Sequence, residues 1–306
     1  MSHSELERLN QQFSLSTKLC QLSFINGAGD IPVVEIKNSL ASARISLQGA
    51  HLLSWVPEGE TEVIWLSPEA RFEKGKAVRG GIPICWPWFG AHGRNESFPA
   101  HGFARTVLWE VSDTRQLESG ETQIRFKLDI SQMDALVKAM WPGDSGVEYI
   151  VTIGTVLTLE LITHNNGIEK IVTGEALHTY FNVYDITKTM VAGLHEKEFL
   201  DKPDNFKRKK QIADIKISGE VDRVYVNTTD DVVINNQHRK IKISKQGSQS
   251  TIVWNPGKQV AEKMGDLGEG GYLKMLCVES GNAAENIVSV AGGETHSLRV
   301  VYSLVM

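Results

Sequence analysis

From residue 31 onward the chain is a succession of short, β-branched or alternating segments separated by turn residues, and this pattern constrains the fold most. Segments 31–36, 43–47, 62–66, 106–111 and 123–130 each read as a strand. The longer segment 147–164 alternates with period 2 around 155–163, and Gly154 is placed for a hairpin turn or a bulge. Strand signals continue at 170–183, 221–226, 232–235, 240–244, 251–254, 272–278 and 296–305. Helical spacing is rare. Leu6, Leu9 and Phe13 predict a short amphipathic helix before residue 20. A second is predicted over 131–140, where Ser131 and Asp134 fit a capping box and Trp141-Pro142-Gly143 supplies the stop. Many closely spaced strands with few helices predict an all-β chain, a large antiparallel β-sandwich or barrel.

The regular strand–helix alternation of a nucleotide-binding fold is missing. Gly80-Gly81 does not extend to GxGxxG, and no GxxxxGK[ST] occurs, so a phosphate cradle at a helix start is not indicated. Neither a composition break nor an internal repeat divides the chain, so residues 1–306 are expected to form a single domain. A formal net charge of −5 argues against a general nucleic-acid binder, which needs a basic surface. No apolar run approaches the roughly 18 residues of a membrane span, and the amino terminus does not read as a secretory signal. Cys20, Cys85 and Cys277 are scattered without CxxC spacing, so neither a disulfide framework nor a zinc site is indicated, and a reducing cytoplasm is the expected compartment. The charged run 201–210 (DKPDNFKRKK) is expected to be an exposed loop.

The stretch 78–105, VRGGIPICWPWFGAHGRNESFPAHGFAR, is too rich in Gly and Pro for a helix and too aromatic for a solvated linker. It reads as a pocket wall with a few cationic groups in fixed directions. Arg79 and Arg105 bracket it, beside Gly and Pro, which favours recognition of an anion over a surface ion pair. His101, between Ala100 and Gly102, is placed to hydrogen-bond a ligand hydroxyl, whereas His92 and His195 have no comparable context. Trp86, Trp88 and Phe89 read as core or pocket-wall packing, with stacking on a sugar ring the sharper alternative. His178, inside LHTYFNV, is either a satisfied core histidine or a general acid or base. Glu279, following YLKMLCV, is either paired structurally or aimed into a site.

VRGGIPICWPWFG followed by HGFAR resembles the aldose 1-epimerase (galactose mutarotase-like) superfamily, and specifically its hexose-6-phosphate mutarotase branch. EALHTYFNV, GEVDRVY, VWNPG and CVESGN continue the likeness in order, so that it runs from about residue 30 to the carboxyl end. The resemblance implies a large antiparallel β-sandwich that interconverts the α and β anomers of a hexose 6-phosphate, without metal or organic cofactor. By motif, His178 would be the general acid at the ring oxygen and Glu279 the general base on the anomeric hydroxyl. Arg79, Arg105 and His101 would bind substrate. Asp201, in GLHEKEFLDK, matches a substrate-binding aspartate although its flanks diverge, and Ala100 stands where some relatives carry glutamine.

Mutarotation opens a cyclic hemiacetal and recloses it on the other face. One proton leaves O1 as another reaches the ring oxygen, and each assisted transfer contributes ~10²–10⁴-fold. The resemblance therefore implies a protonated His178 and an ionised Glu279 on opposite sides of the C1–O5 bond. The implied partner is a small-molecule sugar phosphate; the oligomeric state stays open. Three alternatives remain at this level: a mutarotase of unphosphorylated aldoses, a non-catalytic carbohydrate-binding β-sandwich, and a glycoside hydrolase with a second positioned carboxylate.

Overall fold

A computed structural model describes residues 3–141 and 143–305. Among the described residues the ladders are antiparallel and organise into one nine-stranded sheet, one eight-stranded sheet, one five-stranded sheet and a two-stranded ribbon. The nine-stranded sheet runs from Ile215–Lys216 through Met190–Ala192, Val232–Asn235, Lys240–Gln246, Thr295–Val305, Val156–Asn165, Ser145–Ile153 and Thr122–Asp129 to Glu110–Gln116. Its central hairpin, Ser145–Ile153 and Val156–Asn165, turns at Gly154, and past the exposed Val156 both arms alternate between buried and half-exposed positions. That is the period-2 signature of a sheet with one face on the core.

The eight-stranded sheet carries the chemistry-bearing residues. Its order is Lys207–Lys210, Glu198–Asp201, Val221–Tyr225, Ser250–Asn255, Met275–Asn282, Glu175–Leu177 and Ile84–Cys85, with Tyr180–Asn182 also paired to Met275–Asn282. Every residue of Met275–Asn282 is buried, as expected of a strand covered on both faces. Leu276 and Val278 join the large core with Val253, Leu159, Leu161 and Val300, so the nine- and eight-stranded sheets share one apolar interior. Met275 and Cys277 point the other way, into a smaller cluster with Trp65 and Tyr180. The five-stranded sheet, from Leu15–Ser16 to His51–Pro57, contributes Trp55 to the same large core, and its indole donates to the Gly154 carbonyl at 3.0 Å.

Several expectations need correction. The segment 62–66 makes only isolated bridges, Ile64 to Phe181 and Leu66 to Gly80, so it is not a ladder strand. The strand expected at 106–111 begins later, at Glu110–Gln116. Helix His3–Phe13 forms as expected, but the second helix is Ala135–Met140, capped by Asp134 accepting from the Val137 amide; Ser131 sits in a preceding single turn capped by Asp129. Pro142 of the expected stop lies outside the described residues. The charged run 201–210 is not a plain loop. Its end, Lys207–Lys210, is a fully exposed strand paired to Glu198–Asp201 and laced by the ion pairs Arg208–Glu198, Lys209–Asp201 and Lys210–Glu196. No described helix is long and apolar enough to cross a membrane.

Candidate active site

Strand alternation puts the site on the face of the eight-stranded sheet turned away from the large core. Val253 and Val278 face that core, so Ile252, Trp254 and Glu279 project to the opposite side. Ile252 lies directly across from Glu279, and Asp222 directly across from Trp254, which tiles three neighbouring strands. Residues 178–180 cross beside them. The His178 amide donates to Pro83 and the Tyr180 amide to Gly81, while the Thr179 hydroxyl meets Tyr302 in the core at 2.6 Å. With Thr179 turned inward, His178 and Tyr180 share the site face, their rings stacked at 4.9 Å and 10°.

The resulting cavity, about 280 Å³, is lined by Arg79, His101, Arg105, His178, Tyr180, Lys202, Asp222, Trp254 and Glu279, with Phe89 and Ile252 on its apolar wall. The structure therefore brings together five of the six residues expected from sequence. Asp201 is not among the lining residues; its carboxylate is held by Lys209 at 2.6 Å. Asp222, within GEVDRVY, occupies the cavity instead and pairs with Lys202 at 2.6 Å. Trp86 is fully buried and Trp88 nearly so, which leaves Phe89 as the only one of the three expected aromatics on the wall. His92 packs against Trp88 and Phe98, and His195 is exposed beside Glu196.

Local backbone explains how the stretch 78–105 aims its side chains. Gly81 has φ +70, and a Cβ there would meet the His51 ring at 2.3 Å. His51 in turn contacts the Gly80 carbonyl at 2.8 Å, and burial pushes its pKa down to about 4, so a neutral ring donates that bond and fixes the turn after Arg79. Gly102 has φ +74, and a Cβ would collide with the Trp86 carbonyl at 2.0 Å. Only glycine permits that approach. His101, just before it, accepts at Nδ1 from the Gly90 amide at 3.4 Å and faces the Cys85 sulfur at the same distance. Burial, with Arg105, Lys202 and Arg79 nearby, drops the His101 pKa to about 3. A neutral ring that accepts at Nδ1 carries its proton on Nε2 and is a donor there.

Three cations surround the cavity. Arg79 donates to Asp266 and to the Tyr180 hydroxyl, both at 3.1 Å. Lys202 is matched by Asp222. Among the described residues Arg105 donates only to the Ala100 carbonyl, at 2.8 Å, and its buried Nε has no partner there. It is thus the cation best placed to gain from an incoming anion.

Beneath these groups His178 Nδ1 lies 3.4 Å from Glu279 Oε1, and neither Nδ1 nor Glu279 Oε2 has a hydrogen-bond partner. Burial, reinforced by His101, Arg105 and Arg79, holds His178 well below the ordinary imidazole value. Burial, reinforced by Asp222, raises Glu279 well above the ordinary carboxyl value against Lys202 and Arg105. Burial thus disfavours the charged form of each group. The two groups stand side by side. Cys277, on the same strand face as Glu279, adds a third potential metal-ligating group within 4.8 Å.

A family model described as aldose 1-epimerase matches residues 32–303. The chain belongs to the aldose 1-epimerase family. This epimerase-family chain is 36% identical over 259 residues to an Escherichia coli (strain K12) protein named "Putative glucose-6-phosphate 1-epimerase", covering 84% of this chain and 85% of that one. Its fold superposes on the crystal structure of a "putative mutarotase" from Salmonella typhimurium with a TM-score of 0.85 at 29% identity, covering 98% and 99% of the two chains. A galactose mutarotase-like protein from Lactobacillus casei shares the epimerase fold at 16% identity, with a TM-score of 0.70 and coverage of 89% and 100%. Sequence reading had not singled out Tyr180, Lys202, Asp222 or Trp254. Tyr180, Asp222 and Trp254 lie within motifs that carry the resemblance, EALHTYFNV, GEVDRVY and VWNPG, and Lys202 ends GLHEKEFLDK, which was the available signal.

Proposed function

We propose that this epimerase-family chain is a hexose-6-phosphate mutarotase, with His178 and Glu279 as the acid–base pair. The observation that carries the reading is the 3.4 Å contact of these two groups in a cavity bordered by Arg79, Arg105 and Lys202. O1 and the ring oxygen of a hemiacetal are bonded to the same carbon, so an acid and a base standing side by side match them. One group takes the O1 proton while the other delivers a proton to the ring oxygen; closure on the other face reverses both transfers. The resemblance assigns the acid to His178 and the base to Glu279. A sugar phosphate supports that charged form, because its negative charge offsets the cations that disfavour an imidazolium.

Arg105 supports the phosphate part of the reading, since a planar guanidinium lacking an ion pair gains most from a phosphoryl group. His101 Nε2–H and the Asp222 carboxylate supply a donor and an acceptor for ring hydroxyls. Three free, buried cysteines accord with action in a reducing cytoplasm. The test is anomer exchange followed by NMR saturation transfer, with glucose 6-phosphate and glucose as parallel substrates. Acceleration of glucose 6-phosphate well beyond glucose is expected. Equal exchange with and without protein for both sugars would refute the mutarotase reading, and acceleration of glucose alone would refute the phosphate assignment.

A further inference from the structure

Cys277 has no role in proton transfer, yet it sits two residues from Glu279 on the same strand face. Its sulfur, a ring nitrogen of His178 and a carboxylate oxygen of Glu279 all lie within 4.8 Å of one another. All three residues are buried, to 0%, 8% and 1% exposure respectively. His178 Nδ1 and Glu279 Oε2 are buried without any hydrogen-bond partner. Buried polar atoms left unpaired are destabilising, so this corner is primed to accept a group that satisfies both.

One nitrogen, one sulfur and one oxygen donor suit a zinc-class ion, and the thiol and imidazole disfavour the oxygen-seeking magnesium and calcium. Bonds of about 2.0–2.3 Å to a tetrahedral ion set neighbouring ligand atoms roughly 3.3–3.8 Å apart. The Nδ1–Oε1 separation of 3.4 Å already fits, and the sulfur needs to close by about 1 Å at most.

We propose that His178, Cys277 and Glu279 form a binding site for a divalent transition-metal ion of the zinc class, and that loading it silences the acid–base pair. The thiol and carboxyl protons leave to solvent, and the resulting thiolate and carboxylate neutralise the ion. The site rests on where these side chains lie, whereas the silencing rests on the reaction proposed above.

Cobalt(II) is the probe for binding. Titrated into the metal-free wild-type protein, it gives an ultraviolet thiolate-to-cobalt charge-transfer band that zinc bleaches. Cys277→Ser abolishes the band and weakens zinc binding at least tenfold, while Cys85→Ser leaves both unchanged. Absence of the band from the wild type, its persistence in Cys277→Ser, or its loss in Cys85→Ser overturns the site. Should Cys277→Ser fail to fold, His178→Asn and Glu279→Gln each weaken zinc binding at least tenfold; unchanged affinity in both overturns it equally. In the exchange assay, zinc that stops the wild type leaves Cys277→Ser active, and equal inhibition of the two rejects the silencing. A wild type that exchanges no sugar removes the proposed reaction, and the cobalt band still decides the site.

Discussion

Tyr180 lies flat on His178, with ring centroids 4.9 Å apart and planes 10° from parallel, while its hydroxyl accepts a hydrogen bond from Arg79 at 3.1 Å. One side chain thus braces the imidazole proposed to transfer protons and a cation of the cavity wall together. Tyr180→Phe keeps the stack and removes only the acceptor, and Arg79 retains Asp266. We expect KM for glucose 6-phosphate to rise about three- to tenfold with kcat nearly unchanged, the weight of one hydrogen bond. Tyr180→Ala removes the stack as well and should lower kcat too. Steady-state anomer exchange on both variants separates the two effects.

Glu279→Gln preserves shape but cannot exchange a proton with O1. Exchange of glucose 6-phosphate should fall ~10²–10⁴-fold. Binding of glucose 6-phosphate, measured by calorimetry, should stay within a few-fold of wild type. Wild-type rates in this variant would remove Glu279 from the mechanism.

The pH dependence follows from the shared proton. With one proton on the pair the site is competent, and gain of a second or loss of the first disables it. The second proton enters at His178, whose pKa burial lowers, so the acid limb of kcat/KM falls below the ordinary imidazole value. The last proton leaves Glu279, whose pKa burial raises, so the alkaline limb lies above the ordinary carboxyl value. A bell-shaped profile for the free enzyme is expected, and a flat profile from pH 4 to 10 would contradict one-proton chemistry.

Arg105→Gln should separate phosphorylated from free sugar. A charge-assisted contact is worth about 1.5–3 kcal/mol, so kcat/KM for glucose 6-phosphate should drop roughly 10- to 100-fold. Any residual rate with glucose should not change. Equal losses for both sugars would place Arg105 in support of the fold or of the sugar ring rather than the phosphate.

Gly102 and Gly75 have nearly the same left-handed backbone, φ +74 and +77, but different surroundings. At Gly75 a Cβ meets nothing within 4 Å, whereas at Gly102 it meets the Trp86 carbonyl. Gly75→Ala should cost about 1–2 kcal/mol through backbone strain alone. Gly102→Ala should cost about 3 kcal/mol or more and disturb His101. Urea denaturation gives both numbers directly.

How much was legible in the sequence varies with physics rather than with position. Val232–Asn235 matches its predicted bounds because one face is buried and the alternation shows. Lys207–Lys210 was hidden because all four side chains are exposed and the strand is secured by ion pairs, which leave no apolar period. His51–Pro57 escaped because His51, Leu52 and Leu53 are buried in succession, which leaves alternation only in its later part. Arg79, Arg105, His101, His178 and Glu279 were found through local context and motif. The contact of His178 with Glu279 and the exchange of Asp201 for Asp222 depend on strand register, which local pattern does not specify.

The alternation along Met275–Asn282 sends Val278 to the interior and Glu279 to the cavity. A single-residue insertion or deletion upstream within this strand would exchange their sides, placing a carboxyl in the apolar interior and a valine in the cavity wall. Glu279 is therefore held by parity. This part of the gene is closed to odd changes in length.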